Sequence, residues 1–323
     1  MARPQDSAET LIAGIQSSQV GALARAITLA EDNHPAADAV LDAIWPQVGK
    51  AWRTGITGPP GAGKSTLVDA LVRHWVGQGL TPALLAVDPS SPISGGAFLG
   101  DRIRMDQALE ETGVYVRSMA NRGSLGGLSR ATGMAADLCD AAGFPEILLE
   151  TVGVGQAEVD IAAATDVTVV VLTPASGDGV QAMKAGLMEI GDLFVVNKSD
   201  LEGAERFKHG VESMLDLRGE SSRTEVVACS ALHGEGIADV AAALKRRRQR
   251  EEQSGVLQSR RSQRAQARVE RLVGEDLRSK LWGKAGLGEK AAALLESGAR
   301  PDCVAQSLVE EVQNLVLQNG VKS

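Results

Sequence analysis

The residues of this chain with the clearest chemical meaning are nine consecutive positions, 58–66, which read GPPGAGKST. They match the G-x-x-x-x-G-K-[ST] spacing of a phosphate-binding loop, in which glycines let backbone N–H groups turn toward phosphate oxygens. Residues 51–57 are partly β-prone, and residues 67–75 carry apolar side chains at helical spacing, which is the strand, loop and helix context that the motif requires. Lys64 would reach the β- and γ-phosphates and Ser65 would ligate Mg²⁺, whereas a chance glycine-rich turn is the disfavoured alternative.

A second polar motif, Asn197-Lys198-Ser199-Asp200, directly follows the apolar run 193–196. The N-K-x-D pattern at a strand end is the guanine reader of P-loop GTPases. The carboxylate of Asp200 can accept hydrogen bonds from the guanine N1–H and exocyclic amine, a donor pair that adenine does not present. The stem of Lys198 can lie over the base, and residues 229–232, after the next predicted strand, are placed to offer a backbone N–H to the guanine oxygen.

Carboxylates at further strand ends indicate a metal ion beside the phosphates. Glu150 follows the apolar run 147–149, where it can hold a Mg²⁺-bound water, and Asp88 ends another predicted strand. Asp101 lies in a glycine-rich loop that could fold over the nucleotide as a first switch. Gly153 can give its N–H to the γ-phosphate, and Gln156 is a candidate to orient the attacking water.

The sequence therefore predicts one nucleotide site with three groups of residues. The predicted nucleotide-binding residues are Gly58, Gly61, Ala62, Gly63, Lys64, Ser65, Thr66, Gly153, Asn197, Lys198, Asp200, Ser230, Ala231 and Leu232. The predicted Mg²⁺ ligands are Ser65, Asp88, Asp101 and Glu150, and the catalytic candidates are Lys64, Asp88, Asp101, Glu150 and Gln156. GTP, GDP and Mg²⁺ are the expected ligands, and hydrolysis is expected to be slow without a partner that stabilises the charge of the transition state.

Net charge, apolar runs and cysteine spacing exclude several classes of protein. The net charge of −8 disfavours a general nucleic-acid binder, and no apolar run approaches the length of a membrane span. The first residues lack the apolar stretch of a signal peptide, and the three cysteines are far apart and form no C-x-x-C pair. These features favour a cytoplasmic protein with free thiols.

Alternating apolar strands and amphipathic helices between residues 51 and 244 predict a doubly wound, mostly parallel α/β sheet with ligands at the carboxyl ends of the strands. Residues 1–50 read as a helical extension with apolar stripes at helical spacing, in which Ser7 can cap the first helix and residues 33–35 interrupt the pattern before the third. Within the α/β region, residues 113–116 form a short strand candidate. Residues 245–323 read as a basic linker followed by a helical dimerisation arm. Residues 245–271 hold ten Lys or Arg against three Glu, which indicates either a solvated helix or an electrostatic contact with an acidic partner or partner subunit.

Six sequence features in this order resemble the MeaB-type GTPases, bacterial relatives of the human methylmalonic aciduria type A protein. They are the helix 23–31, the phosphate loop, the AVDPSS run 86–91, the loop 95–105, the ETVGVGQ run 150–156 and the motif 197–200. The resemblance covers residues 8 to 245, whereas the tail after 245 is similar only in being helical.

The resemblance implies a homodimeric G-protein chaperone of an adenosylcobalamin-dependent acyl-CoA mutase, in which GTP gates cofactor loading and protects the mutase. It also implies that Lys64 and Ser65 bind phosphate and Mg²⁺, that the three carboxylates serve the metal and the switches, and that residues 197–200 read the base. One departure lies in a third switch, where Gly179 stands in place of the family's Glu. This departure motivates the hypothesis that the partner is a relative of methylmalonyl-CoA mutase, such as 2-hydroxyisobutyryl-CoA mutase.

Two alternatives stay open at this stage. A metal-insertion GTPase of the same broad class would be expected to carry a His-rich or C-x-x-C metal store, and the sequence has neither. An ATP-dependent kinase is disfavoured by Asp200, because its carboxylate matches guanine and not adenine.

Overall fold

The computed structural model describes six stretches of the chain: residues 7–89, 113–121, 130–151, 157–174, 186–217 and 224–318. It divides into two compact units, residues 1–261 and residues 262–323. Four residues with predicted roles, Asp101, Gly153, Gln156 and Gly179, lie outside the described stretches.

A seven-stranded, all-parallel sheet forms the centre of the first unit. The strands are β1 (Trp52–Thr57), β2 (Ala83–Pro89), β3 (Tyr115–Asn121), β4 (Glu146–Thr151), β5 (Val167–Leu172), β6 (Leu193–Val196) and β7 (Glu225–Ala228). Their order across the sheet is β3-β2-β4-β1-β5-β6-β7, which confirms the predicted doubly wound α/β class. The central strands are buried along their whole length, as expected where helices cover both faces.

Helices of the first unit pack on both faces of this sheet. They are α1 (Ala8–Gln16), α2 (Val20–Glu31), α3 (Pro35–Ile44), α4 (Lys64–Gly77), α5 (Arg130–Ala141), α6 (Ala157–Ala162), α7 (Leu187–Ile190), α8 (Ala204–Leu217) and α9 (Ile237–Ser254). The next helix, α10 (Val256–Ser279), begins in the first unit and continues beyond residue 261. One core joins α1–α3 and α5 to the sheet, and a second core joins α4 and α9 to its other face.

The three N-terminal helices form where the apolar stripes predicted them, and local caps set their limits. Ser7 accepts a hydrogen bond from the N–H of Thr10 at the start of α1. Asn33 has a φ of 51°, and the ring of His34 accepts from the N–H of Ala36, so the chain turns sharply before Pro35 begins α3.

Strand β3 is longer than the four residues, 113–116, that the apolar pattern predicted. Arg117, Ser118 and Asn121 interrupt the apolar pattern in this edge strand, although Met119 is buried in the core. Arg117 forms an ion pair with Glu31 and donates to the hydroxyl of Thr28 over 3.1 Å. These contacts replace the apolar packing on which the pattern depends.

Arginines of the basic run between residues 246 and 261 form ion pairs within the chain, while no residue of α10 is buried, so the solvated and the partner-contact interpretations both stay predictions. These arginines pair with carboxylates at the amino ends of β4, β5, β6 and β7. The pairs are Arg246 and Arg250 with Glu225, Arg247 and Arg260 with Asp192, Arg248 with Glu146, and Arg261 with Asp166. Each acidic residue begins, or directly precedes, its strand, so the sheet places them in one row.

The second unit contains a small helical core of its own. Helix α11 (Leu287–Glu296) packs against α12 (Pro301–Gln318) through Leu287, Ala291, Val304 and Leu308. Lys290 and Glu311 form an ion pair between the two helices. Within the described stretches, none of the helices has the length and apolar character needed to span a membrane.

Candidate nucleotide-binding site

The carboxyl ends of the strands bring together residues that are distant in the sequence. β1 leads into the phosphate loop, β4 ends in Glu150 and Thr151, β6 leads to Asn197, and β7 leads to Ser230. Because all these strands are parallel, the polar residues that follow them share one edge of the sheet.

The phosphate loop is closely packed against its neighbours. A Cβ atom on Gly58, whose φ is 140°, would lie 2.2 Å from the carbonyl oxygen of Val171. A Cβ atom on Gly63, whose φ is 86°, would lie 2.4 Å from the amide nitrogen of Asn197. Gly58 and Gly63 are therefore required both by backbone conformation and by contact with β5 and with Asn197.

Lys64 is the first residue of α4, and its side chain folds back over the phosphate loop. The ammonium group donates to the carbonyl oxygens of Gly58 at 2.8 Å and Pro59 at 3.0 Å. The side chain is buried, so its positive charge is concentrated beside the start of a helix. A buried cation and a helix N-terminus together form a strong anion site.

The side chains of Ser65 and Glu150 are in contact beside the phosphate loop. The hydroxyl of Ser65 donates to Oε1 of Glu150 over 2.5 Å, and Glu150 is 1% exposed. A hydroxyl and a carboxylate in contact supply the hard oxygen ligands that Mg²⁺ prefers, so the residues present fit this metal ion. Thr151 adds a hydrogen bond of 3.3 Å to the hydroxyl of Thr57, which joins the ends of β4 and β1.

Asn197 links the phosphate loop to the base-reading loops, a role that its place in the sequence motif did not reveal. Its Nδ2 donates to the carbonyl of Ala62 at 2.9 Å, and its Oδ1 accepts from the N–H of Ala231 at 3.0 Å. The thiol of Cys229 also donates to Oδ1, at 3.6 Å. The contact joins residues more than 130 positions apart, so only the tertiary structure could show it.

Lys198 also contacts the phosphate loop. Its Nζ donates to the carbonyl of Gly61 over 2.9 Å, while its backbone adopts a φ of 58°. Positive φ is uncommon for a residue with a side chain and indicates a backbone held by its surroundings. The aliphatic stem therefore runs from the motif 197–200 toward the phosphate loop, and its predicted place over a base stays a prediction.

Asp200 is oriented by a residue of the neighbouring loop. The hydroxyl of Ser230 donates to Oδ1 of Asp200. This hydrogen bond is the main cause that holds the pKa of Asp200 below its ordinary value, with a contribution from the charge of His233. The 230–235 turn is closed by paired backbone hydrogen bonds between Ser230 and Glu235, and it leaves Leu232 80% exposed. The carboxylate at this position is thus ionised and ready to accept hydrogen bonds.

For the remaining predicted residues, the structure gives the position in the fold. Thr66 lies in the first turn of α4, and Ala62 is buried in the loop. The backbone of Asp88 lies in β2, paired with Ala120 of β3, and its side chain is outside the described part. The roles of these residues stay predictions.

Comparison with known proteins is consistent with this geometry. Residues 23–286 match the family model described as methylmalonyl Co-A mutase-associated GTPase MeaB. The match extends past residue 245, where the sequence resemblance was taken to end. A Pyrococcus abyssi protein named as a GTPase is 43% identical over 286 residues, covering 87% of this chain and 88% of that protein.

A further relative and a solved structure are also similar to this chain. The mouse methylmalonic aciduria type A homolog, mitochondrial, is 38% identical over 258 residues, which are 74% of this chain and 62% of that protein. The crystal structure of an LAO/AO transport system kinase is similar with a TM-score of 0.74 and 28% identity, covering 97% of this chain and all of that one. The family model covers most of the chain and the relatives are named GTPases, so this chain belongs to the MeaB family and is a GTPase.

Proposed function

We propose that the carboxyl edge of the sheet binds GTP and GDP and is the place where GTP is hydrolysed to GDP and phosphate. The observation that carries the proposal is the double contact of Asn197, which fixes the phosphate loop against the 229–231 loop. One nucleotide requires both loops at a constant separation, because its phosphates and its base are held simultaneously. Lys64 would bind the β- and γ-phosphates, and residues 197–200 would read guanine.

Four oxygen-bearing residues would hold Mg²⁺: Ser65, Glu150, Asp88 and Asp101. Bound Mg²⁺ supplies charge neutralisation at the β- and γ-phosphates. The hydrogen bond between Ser65 and Glu150 keeps the first two of these side chains together before any ligand arrives. Gly153 would sense the γ-phosphate and Gln156 would orient water.

Base choice is tested by competition against a fluorescent GDP analogue. We expect GTP to displace the analogue and ATP to fail, because Asp200 has no partner on adenine. Asp200→Asn should weaken guanine binding at least tenfold, since an amide cannot accept from both guanine donors. Asp216→Asn, on the exposed side of α8, is the matched control and should leave binding unchanged. Equal displacement by ATP would instead favour the alternative of an ATP-dependent kinase.

We further propose that the GTPase serves an adenosylcobalamin-dependent acyl-CoA mutase as a chaperone, gating cofactor loading and protecting the enzyme from inactivation. The support is the family description, which names association with methylmalonyl Co-A mutase, and the mouse relative's name. Gly179 in the third switch motivates a relative such as 2-hydroxyisobutyryl-CoA mutase as the alternative partner.

The partner is tested by measuring GTP turnover with each purified mutase in turn. We expect the cognate mutase to raise turnover at least tenfold and to co-purify with the chain when GDP or a non-hydrolysable GTP analogue is present. Gly179→Glu, which restores the family's acidic residue, should change the stimulation without changing GDP affinity. Absence of stimulation by both mutases would refute the partner proposal while leaving GTP binding intact.

The second unit is proposed to form a homodimer. Val269, Val273 and Leu277 recur every four residues on α10 and are 60%, 52% and 51% exposed. Such a stripe lies on one side of a helix, and a second copy of the same helix would cover it.

The dimer is tested by sedimentation equilibrium of the full chain. We expect a dimer for the natural sequence and a monomer for Val273→Glu, because a charge in the middle of the stripe would be buried without a partner. Leu217→Glu, at an 88% exposed position on α8, is the control and should stay dimeric. A monomeric natural chain at micromolar concentration would contradict the proposal.

A further inference from the structure

Two carboxylates at the amino edge of the sheet are fixed by the backbone of neighbouring strands. Asp166 directly precedes β5 and accepts from the N–H of Arg53 at 3.0 Å. Asp192 directly precedes β6 and accepts from the N–H of Thr168 at 3.0 Å. Both side chains are therefore held by the sheet itself, on the edge opposite to the nucleotide site.

The start of α10 attaches to these carboxylates through two arginine forks. Arg261 donates to the two oxygens of Asp166 at 3.0 and 2.9 Å, and Arg260 donates to those of Asp192 at 3.1 and 2.7 Å. Arg261 also donates to the carbonyl of Ala51 at 2.7 Å. Forked arginine–carboxylate pairs are directional and strong where they are shielded from water, and the side chain of Asp166 is fully buried.

Apolar contacts contribute little to this attachment. Along its whole described length α10 has no buried residue, and Leu257 packs only partly against the core beneath α4 and α9. Gly255, with a φ of 72°, separates α9 from α10. The attachment of residues 256–261, called here the strap, thus depends mainly on charge and hydrogen bonds.

Release of the strap would leave neither carboxylate without a partner. Asp192 keeps the guanidinium of Arg247 at 2.8 Å, and Asp166 keeps the N–H of Arg53. A buried charge that loses its last partner is strongly destabilising, and the contacts that remain lessen this penalty, although Asp166 gives up its ion pair with Arg261. Opening of the strap is therefore much less costly than unfolding of the sheet.

We propose that the strap is a releasable attachment, closed by Arg260 and Arg261 and opening as a local unit while the sheet stays folded. When it is closed, Arg261 binds the carbonyls of Gly49 and Ala51, the residues that lead into β1. β1 continues directly into the phosphate loop, so the strap restrains the opposite end of the strand that carries that loop. The device is independent of which nucleotide or partner the protein uses.

The proposal is tested by hydrogen exchange of the full chain with GDP, followed by mass spectrometry. In the natural protein, amides of residues 256–265 should exchange at least 100-fold faster than those of β5, because they exchange through local opening. The double variant Arg260→Gln/Arg261→Gln should raise exchange there a further 10- to 30-fold, as expected when two ion pairs are lost. Exchange in β5 should rise by no more than this same factor and stay at least 100-fold slower than exchange of the strap, because β5 exchanges only when the sheet unfolds.

A matched control uses the preceding helix, α9, and the same kind of contact. Arg246→Gln/Arg250→Gln removes the two arginine contacts to Glu225 but leaves α10 untouched, so exchange of residues 256–265 should not change. Raising NaCl from 0.05 to 1 M should accelerate the natural strap and have little effect on the Arg260/Arg261 variant. Equal exchange rates for the strap and β5 would overturn the proposal, as would a strap rate that the Arg260/Arg261 variant leaves unchanged.

Discussion

Glu146 provides the sharpest test of the charged row at the amino edge of the sheet. It is the first residue of β4, and Arg248 of α9 donates to it over 2.9 Å. Burial raises the pKa of Glu146 to about 7, against the opposing effect of Arg248 and with smaller contributions from Asp166 and Glu252. The guanidinium of Arg248 also lies 5.4 Å from the ring centre of Trp52, which shields the pair from water.

The sign of the pH effect follows from this raised pKa. Between pH 4.5 and pH 7 the folded protein keeps a proton on Glu146 that the unfolded chain releases, so stability falls as the pH rises. From pH 5 to pH 8 the loss amounts to about 2.5 kcal/mol, taking pKa values near 4.5 unfolded and 7 folded. Glu146→Gln cannot ionise and should lack this loss.

The assay compares urea unfolding of the natural chain and Glu146→Gln at pH 5 and pH 8 with GDP held constant. Relative to the variant, the natural chain should lose about 2.5 kcal/mol of unfolding free energy over this range. Glu225→Gln is the control: burial opposes the shift, but Arg246 and Arg250 lower the pKa of Glu225. Glu225 is therefore mostly ionised in both states from pH 5 upward, and Glu225→Gln should change the pH dependence little. Parallel pH profiles for the natural chain and Glu146→Gln would refute the reasoning.

Three other variants test the site and its support. Asn197→Ala removes the hydrogen bonds that join the phosphate loop to the loop after β7. Calorimetry should show lower thermal stability and at least tenfold weaker GDP binding, and an unchanged GDP affinity would contradict this prediction. Gly63→Ala should abolish GDP binding because its Cβ would meet the Asn197 amide at 2.4 Å, whereas Gly77→Ala has open space and should bind normally. Asp140→Ala should cost about 3 kcal/mol or more in urea unfolding, since three backbone N–H groups lose their acceptor; a loss below 1 kcal/mol would argue against this contact.

Several features followed from local sequence alone. The phosphate loop could be recognised because its glycines, Lys64 and Ser65 must be adjacent in the chain to surround one phosphate group. Strands such as β5 could be recognised because a parallel sheet covered on both faces demands an unbroken apolar run. The N-cap at Ser7 and the turn at Asn33 are similarly short-range.

The longer-range features depended on the tertiary structure. The apolar pattern predicted β3 too short because Arg117 satisfies its charge on α2, a contact that no periodicity records. The in-chain ion pairs of the basic run 245–271 could not be predicted from local sequence, because its acidic partners are scattered between residues 146 and 225.

What the sequence determined, then, was the chemistry of each local segment: a loop for phosphate, a motif for guanine and alternating elements for an α/β sheet. What only the tertiary structure decided was which segments meet. Parallel pairing of β4, β1, β5, β6 and β7 aligns the strand ends, placing Glu150 against Ser65 at one edge and the acidic row against the arginines at the other. The physical reason is that hydrogen bonds and ion pairs act over a few ångströms, whereas their partners lie 21 to more than 130 residues apart in the chain.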